Sequence, residues 1–413
     1  MRLACYGFVE KKSGSVASAN FYMLKGLLER GHTIDFYAKS NFVYPEELLE
    51  YPEFQYIGYE PELENQIIKH TPDAIYQKLS WPISRAFYNY SLRKLEQLLR
   101  KRHQQKPYDA LLFLGTWAPF HIPDLPTLSW PQGHPATELK AIQNNRKQII
   151  DLCGYPLYLK LLTYYTYYKF NVSRQTSNNT VIIVNNSWNK ATLVQQGFPA
   201  HRIHCLPYPI DTEYFQPVYS PHPQNPPHLL WLGRIDPRKR LDLMLEAFAR
   251  LIASGVEAHL SIIGRFTYAP AYKKLIDQFP YPEHLTYHSG IPREQVPTLF
   301  HHTDILVQPS EYENFGSSVA EAQSCGVPVV LGPTNGTGEY IDAAKFLFKE
   351  YTSESLFETL REALEVIQSQ KALLARQARQ TAETQFSHVQ VIDQLEQIIF
   401  QMRELSPDHV LPI

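Results

Sequence analysis

The chain has 413 residues, which exceeds the size at which a single hydrophobic core stops growing, so two domains are predicted. Its composition, 44% hydrophobic and 19% charged, is typical of a globular protein and excludes a disordered chain. A formal net charge of −2 gives no indication of nucleic-acid binding, so any anion must be bound by a local cluster of cations.

The cysteines and the apolar runs indicate the cellular compartment of the protein. The N-terminal apolar run is too short for a signal peptide, and no apolar stretch reaches the roughly 18 residues of a membrane span. The four cysteines lie far apart without a C-x-x-C pair, which argues against a zinc site or disulfide framework and suits a reducing cytosol. They are Cys5, Cys153, Cys205 and Cys325. We expect a cytoplasmic protein that can still make peripheral contact with a membrane.

The first half of the chain alternates between strand and helix patterns. Residues 2–9 predict a strand, residues 17–29 a helix that ends at Gly31, and residues 32–38 a second strand. This order begins a βαβ unit and indicates a parallel sheet covered by helices. Further strands are predicted at residues 109–114, 127–130, 181–184 and 204–207.

A proline-rich segment separates this half from a second one with the same alternation. Residues 211–227 have little periodic pattern and are typical of a linker. Beyond them, a helix is predicted at residues 241–253, and residues 353–404 are predicted to be helical throughout. The second set of predicted strands is residues 228–232, 259–263, 305–308 and 327–331.

The predicted fold class is therefore α/β, with two doubly wound Rossmann-like domains that face a cleft. The first domain is assigned to residues 1–210, and the second to residues 228–385. Residues 386–413 are predicted to contain a C-terminal helix that can pack back on the first domain. Ligands of such sheets bind beyond the carboxyl ends of the strands, so the cleft is the expected site.

The first candidate motif is GRIDPRKR, residues 233–240, between a predicted strand and a predicted helix. Arg234 and Lys239 are placed so that an arginine fork, a lysine charge and helix N–H groups can converge on a diphosphate. The alternative is a solvated basic loop in which Asp236 caps a helix that starts at Pro237. We favour this alternative for the other two cations, Arg238 and Arg240.

The second candidate motif is SEYENFGSSVAEAQSCGVPVV, which begins at residue 310. Gly316 lets the backbone approach a ligand at the start of a predicted helix, where free N–H groups favour phosphate. The carboxylates of Glu313 and Glu321 can accept hydrogen bonds from sugar and ribose hydroxyls. The alternatives are a solvated loop acid at Glu313 and a capping box that joins Glu321 to Ser318.

These motifs, together with PYPIDTEYFQP at residues 207–217, resemble the retaining glycosyltransferases of family 4, also called glycosyl transferases group 1, which have the two-domain GT-B fold. The resemblance is strongest over residues 203–340. It implies that Arg234 and Lys239 hold the diphosphate of a donor, that Glu313 contacts the transferred sugar, and that Glu321 contacts the ribose.

The same resemblance implies further contacts and no cofactor. The backbone of Phe315, Gly316 and Ser317 would help to bind phosphate and sugar, and Gly233 opens the cationic motif beside the substrate. Gly14, in the first loop, would approach the donor or the acceptor from the first domain. The family requires no metal, because cationic side chains and a helix end do the work of a divalent ion.

The chain departs from the family pattern at several positions. Tyr208-Pro209 stands where Asn-Gly is common, Arg240 where a Gly usually follows the Lys, and the loop around Gly14 has a single glycine. Many relatives place a catalytic His at the end of the strand that is predicted here at residues 127–130. Alignment of the strand puts Gln132 at that position and His134 two residues later. His134 can supply the hydrogen bond to the donor sugar, or it can be a loop histidine with Gln132 as the substitute.

The predicted activity is retaining transfer of a sugar from a nucleotide sugar to a hydroxyl of a glycan, lipid or small-molecule acceptor. Two alternatives stay open: a nucleotide-sugar epimerase, which would convert the donor without an acceptor, and a non-catalytic nucleotide-sugar-binding module. Residues 146–170, rich in Tyr, Leu and Lys, are either a surface that meets the acceptor or an ordinary helix pair with half-buried tyrosines.

Overall fold

The computed structural model describes residues 1–11, 16–39, 45–59, 73–220, 222–267 and 269–405, and for residues 39 and 73–88 it describes the backbone alone. The chain forms two parallel sheets, one in each half. Alternate residues of the first strand enter different cores, Leu3 on one face and Ala4 on the other, so the sheet is covered on both sides. The predicted α/β class with two doubly wound domains is confirmed.

The first sheet has the strand order β3-β2-β1-β4-β5-β6-β7. Its central strands are continuous apolar runs because both faces are buried. The strands are β1 (Arg2–Gly7), β2 (Thr33–Lys39), β3 (Phe54–Tyr59), β4 (Ala110–Gly115), β5 (Thr127–Pro131), β6 (Val181–Val184) and β7 (Ile203–Cys205).

The second sheet has the order β10-β9-β8-β11-β12-β13. In each sheet, successive strands are first added on one side of the opening strand and then on its other side. The change of side lies between β1 and β4 in the first sheet and between β8 and β11 in the second. Such a switch point opens a crevice at the carboxyl ends of the strands. The strands are β8 (His228–Leu232), β9 (His259–Ile263), β10 (Leu285–His288), β11 (Ile305–Gln308), β12 (Val329–Leu331) and β13 (Lys345–Leu347).

Helices connect these strands. In the first half they are α1 (Val16–Glu29), α2 (Glu46–Leu49), α3 (Asp73–Gln105), α4 (Pro135–Asn144), α5 (Arg146–Cys153), α6 (Tyr155–Gln175) and α7 (Ser187–Gln195). In the second half they are α8 (Leu241–Ala253), α9 (Lys273–Asp277), α10 (Val296–His301), α11 (Ser317–Ser324), α12 (Ser353–Thr381) and α13 (His388–Glu404). Among the described residues, none of the helices combines the length and the apolarity that a membrane span needs.

The sequence patterns missed three strands, β3, β10 and β13. All three lie at sheet edges or are partly exposed, so they lack the continuous apolar run that identified the inner strands. The prediction of an unbroken helix over residues 353–404 is wrong. A π-helical turn, Ala382–Phe386, follows α12, and Ser387 leaves the helical conformation and caps α13 by accepting a hydrogen bond from Gln390 N.

Helix α13 returns from the second half to the first and packs on α1. Ion pairs join Arg30 to Asp393 and Arg403 to Asp109, the latter at 2.8 Å. At the centre of this contact, Gly26 of α1 faces the fully buried side chain of Ile392. A Cβ atom at Gly26 would lie 2.8 Å from Cγ1 of Ile392, so only a glycine lets the two helices approach this closely.

We predict that Gly26→Ala lowers the free energy of unfolding by about 1–3 kcal/mol, the usual cost of overpacking a core, although alanine is the better helix former. In an Ile392→Ala background the same substitution should be neutral or stabilising, because the opposing atoms are gone. Urea unfolding of the four proteins of this double-mutant cycle measures the coupling. Equal costs of Gly26→Ala in both backgrounds would contradict the contact.

Candidate functional site

A cavity of about 690 Å³ lies at the carboxyl ends of β1, β4, β8 and β11, where both switch points meet. Both halves of the chain contribute to its walls. From the first half come Gly7 and Gly115 at the ends of β1 and β4, Gln132 directly after β5, and Asn20 of α1. From the second half come Gly233, Arg234, Arg238, Lys239, Arg293, Glu313, Phe315, Gly316, Ser317 and Glu321. The described candidates of the second half therefore converge in one place.

A tight turn after β8 presents the cations. Asp236 accepts a hydrogen bond from the backbone N–H of Arg238 at 3.1 Å and so caps the one-turn helix Pro237–Lys239. Arg240 then adopts a left-handed conformation, with φ of 52°, which ends this turn and starts α8 in a new direction. The predicted capping by Asp236 is present, and it holds Lys239 at the edge of the cavity. Arg234, one residue after Gly233, is exposed to it.

The carboxylate of Glu313 is buried among these cations. It forms an ion pair with Lys239, and its Oε2 atom lies 3.5 Å from Nη1 of Arg238. Burial alone would raise the pKa of Glu313, but Lys239 and Arg238 more than offset it and lower the pKa to about 2. The carboxylate is therefore charged at neutral pH, and the interpretation of Glu313 as a solvated loop acid is wrong.

The interpretation of Arg238 and Arg240 as solvated cations is also wrong. Arg238 is buried, and its Nε atom lies 3.2 Å from a carboxylate oxygen of Glu138 in α4 of the first half. Arg240 is largely buried and pairs with Asp242 at 3.1 Å. No local pattern distinguishes these arginines from exposed ones, because their partners include side chains far away in the sequence.

Helix α11 points its N-terminus at the cavity. A Cβ at Gly316, the residue before the helix, would lie 2.3 Å from Oε1 of Gln308, so this position requires glycine. The first intrahelical bonds are donated by Val319 and Ala320 to Gly316 O. Within the described chain, the buried hydroxyl of Ser317 has no hydrogen-bond partner. An unpaired hydroxyl and free N–H groups at a helix N-terminus form a binding site for an anion.

Glu321 does not form the capping box with Ser318. The helix begins at Ser317, so Ser318 is its second residue, and the Glu321 carboxylate instead accepts two hydrogen bonds from Arg293, at 2.6 and 3.0 Å. The Arg293 guanidinium also lies over the ring of Phe215 at 4.9 Å. Because a carboxylate has about four acceptor positions, Glu321 keeps capacity for further donors from a ligand. Arg293 was not found from the sequence.

The structure does not bring His134 into the cavity. His134 is buried, its Nδ1 atom accepts from Ala136 N at 3.1 Å as the N-cap of α4, and its Nε2 atom lies 3.2 Å from Oε1 of Gln196. Gln132 lines the cavity instead, because it sits at the end of β5 before the chain turns away. The remaining candidate, Gly14, lies outside the described residues.

His134 gives the fold a measurable pH dependence. Burial lowers the pKa of His134 to about 4, whereas the unfolded side chain titrates near its ordinary value of 6.5. The unfolded chain therefore binds the proton more readily, and stability should fall by up to about 1.4 kcal/mol per pH unit as the pH drops from about 6.5 towards about 4.

We predict that His134→Asn preserves the helix cap and reduces this acid sensitivity. Melting temperatures of the two proteins at about pH 7.5 and about pH 5 measure the effect. An identical acid-induced decrease in both proteins would show that His134 is not the buried neutral group described here.

Among the described residues, no group of three or more acidic, histidine or cysteine side chains is arranged so that it could hold a metal ion.

The second half of the chain is similar to a known family. Residues 215–381 match the family model of glycosyl transferases group 1. A GDP-mannose-dependent alpha-(1-6)-phosphatidylinositol monomannoside mannosyltransferase of Mycolicibacterium smegmatis is 27% identical over 158 residues, which are 35% of this chain and 41% of the relative. The chain thus spans less than half the length of this curated relative. The resemblance to glycosyl transferases group 1 that the sequence predicts is confirmed over residues 215–381.

Solved structures resemble the whole chain. Sucrose-phosphate synthase from Thermosynechococcus elongatus has a TM-score of 0.68 at 14% identity and covers 98% of this chain and 100% of its own. Alr3699/HepE of Anabaena, solved in complex with UDP-glucose, has a TM-score of 0.62 at 14% identity and covers 97% of this chain and 100% of its own. At such low identity these similarities concern the fold, and they confirm the predicted GT-B architecture.

Proposed function

Because residues 215–381 match the family model of glycosyl transferases group 1, we propose that the protein is a retaining glycosyltransferase that moves a sugar from a nucleotide-sugar donor to an acceptor hydroxyl. One observation carries the proposal. Arg234, Lys239 and the N-terminus of α11 at Ser317 line the same cavity, and the buried carboxylate of Glu313 lies among them. Cations and free N–H groups suit a diphosphate, and the carboxylate suits a sugar.

The cations would act on charge that develops during the reaction. As the bond between the sugar carbon and the diphosphate oxygen stretches, negative charge grows on the leaving diphosphate. Arg234, Lys239 and the helix N-terminus are already aimed at the cavity, so they would bind the transition state more strongly than the ground state. The proposal assigns the neutralisation of charge to these groups and includes no metal ion.

The family resemblance supplies the stereochemistry. The acceptor oxygen would attack from the face that the diphosphate leaves, the new carbon–oxygen bond would form as the old one breaks, and a donor phosphate oxygen would take the acceptor proton. Glu313 would then orient the transferred sugar through its hydroxyls, which are donors to a charged carboxylate. NMR of the anomeric proton of the product distinguishes retention from inversion.

Two comparisons support a nucleotide sugar as the donor. The mannosyltransferase relative is named as GDP-mannose-dependent, and the Anabaena neighbour was solved with UDP-glucose. We therefore take UDP-glucose and GDP-mannose as the first donors to test. The acceptor is a hydroxyl of a glycan, a lipid or a small molecule.

We predict that Lys239→Ala lowers turnover by about 10²–10³-fold, the usual cost of one electrostatic donor. The fold should persist, because Glu313 keeps Arg238 as a partner. Release of nucleoside diphosphate from UDP- and GDP-sugars, with methyl and octyl glycosides as acceptors, measures turnover. Lys273→Ala is the matched control: this exposed lysine of the same domain pairs only within α9, and its removal should leave turnover unchanged.

Near-normal transfer by Lys239→Ala would end the assignment of the diphosphate site. The same assay separates the alternatives. Conversion of the donor sugar without an acceptor would identify an epimerase, and donor binding without any turnover would identify a binding module.

A second prediction concerns Glu321 and the ribose. Glu321→Gln should weaken the binding of UDP or GDP by about 10–100-fold, because hydrogen bonds to a charged group are worth about 1.5–3 kcal/mol. The 2′-deoxy nucleotide lacks one of the two ribose hydroxyls, so the substitution should lower its affinity by a smaller factor. Calorimetric titration measures both affinities, with the exposed Glu283→Gln as the matched control. Equal losses for the ribonucleotide and its deoxy analogue would remove Glu321 from the ribose site.

A further inference from the structure

A second cavity, of about 460 Å³, opens beside the first on the side of the first domain. The two cavities share Gln132, Arg234 and Glu313 in their walls, so they meet where the transferred sugar is proposed to lie. A molecule in the second cavity would therefore present its groups to the sugar in the first. Its other walls carry aromatic side chains and two carboxylates that the proposed donor site does not use.

Helix α6 supplies an aromatic wall. Tyr164, Tyr165 and Tyr168 line the cavity, with the ring of Tyr164 5.2 Å from that of Tyr165 and 6.2 Å from that of Tyr168. The buried side chain of Trp117 contributes from the loop after β4. Aromatic rings offer an apolar surface, and the tyrosine hydroxyls add polar edges. The C–H groups on the face of a sugar ring fit such a surface.

Two carboxylates face the aromatic wall. One oxygen of Glu138 pairs with Arg238, whereas Oε1 of Glu138 has no hydrogen bond from any described residue. The Glu138 side chain is 26% exposed, and Asp236 lines the same cavity. Acceptor-only groups in a cavity of this kind require donors from the ligand, and sugar hydroxyls are donors.

We propose that the second cavity binds a sugar ring of the acceptor, with the tyrosines of α6 against the ring face and Glu138 accepting a hydrogen bond from a ring hydroxyl. This inference rests on the proposed glycosyltransferase function and names its acceptor class. An alkyl chain fits less well, because it offers no hydrogen-bond donor to the oxygen of Glu138 that does not pair with Arg238.

The outer face of α6 is a different surface. Tyr155, Leu159 and Phe170 are exposed there, at 55%, 47% and 70%, and none of them lines the cavity. Residues 146–170 thus form a helix pair with two distinct surfaces. One carries the tyrosines that line the cavity, and the other carries exposed apolar side chains. Tyr155 consequently provides a matched control on the same helix.

The test uses the full-length protein loaded with UDP or GDP, whichever binds. Saturation-transfer difference NMR is recorded with the methyl glycosides and the octyl glycosides of glucose, galactose, mannose and N-acetylglucosamine. At least one glycoside should give a signal with the unsubstituted protein, and Glu138→Gln and Tyr164→Ala should each weaken its binding about tenfold or more. Tyr155→Ala should leave it unchanged, and the affinity for the nucleotide should be the same in all four proteins.

Three results would overturn the proposal. One is the absence of a signal from every methyl glycoside with the nucleotide-loaded protein. Another is unchanged glycoside binding in Glu138→Gln and Tyr164→Ala. The third is loss of binding only for the octyl glycosides and only in Tyr155→Ala, which would place a lipid acceptor on the outer face. Failure of UDP and GDP to bind at all is distinct from these results and would instead refute the proposed function.

Discussion

The site depends on the ion pairs that the buried carboxylate of Glu313 forms with Lys239 and Arg238. A buried charge is tolerated only when it is paired, and removal of one partner of such a pair is costly. Lys239 and Arg238 supply the pairing, so the turn after β8 and the loop after β11 are held together by charge. The same ion pairs position the cations before any ligand arrives, and an anion that enters the cavity meets groups that need little reorganisation.

The loop that carries Glu313 also joins the two domains. Its neighbour Glu311 accepts hydrogen bonds from Asn145 at 2.7 Å and from Asn144, both of the first half. On the other side, the buried Asn314 exchanges hydrogen bonds with Asn185 and Asn186 near the end of β6. Because all of these polar residues except Asn144 are buried, separation of the domains would require water to replace each bond. The arrangement of the site is therefore coupled to the arrangement of the domains.

The sequence predicted the parts of the site that are encoded locally. Arg234, Lys239 and Gly316 follow strands that are continuous apolar runs, and the end of such a strand locates a side chain at the cleft without further information. Arg238 and Arg293 could not be found in this way, because what distinguishes them is a carboxylate on another element. His134 was considered because it lies close to a strand end, but the chain turns after Gln132 and places His134 at a buried helix cap.

The two cavities also differ in whether their walls are formed by consecutive residues or by elements far apart in the sequence. The first cavity, for which we propose the donor, is lined by turns and a helix N-terminus, whose geometry depends on a few consecutive residues such as Asp236 and Gly316. The second cavity, for which we propose the acceptor, combines α4, α6 and the loops after β4 and β5, which meet only when the first sheet is complete. A wall assembled from distant elements can change one side chain at a time without disturbing the turn after β8 or the N-terminus of α11. This dependence on distant elements also explains why the first half carries no short motif that a sequence pattern could identify.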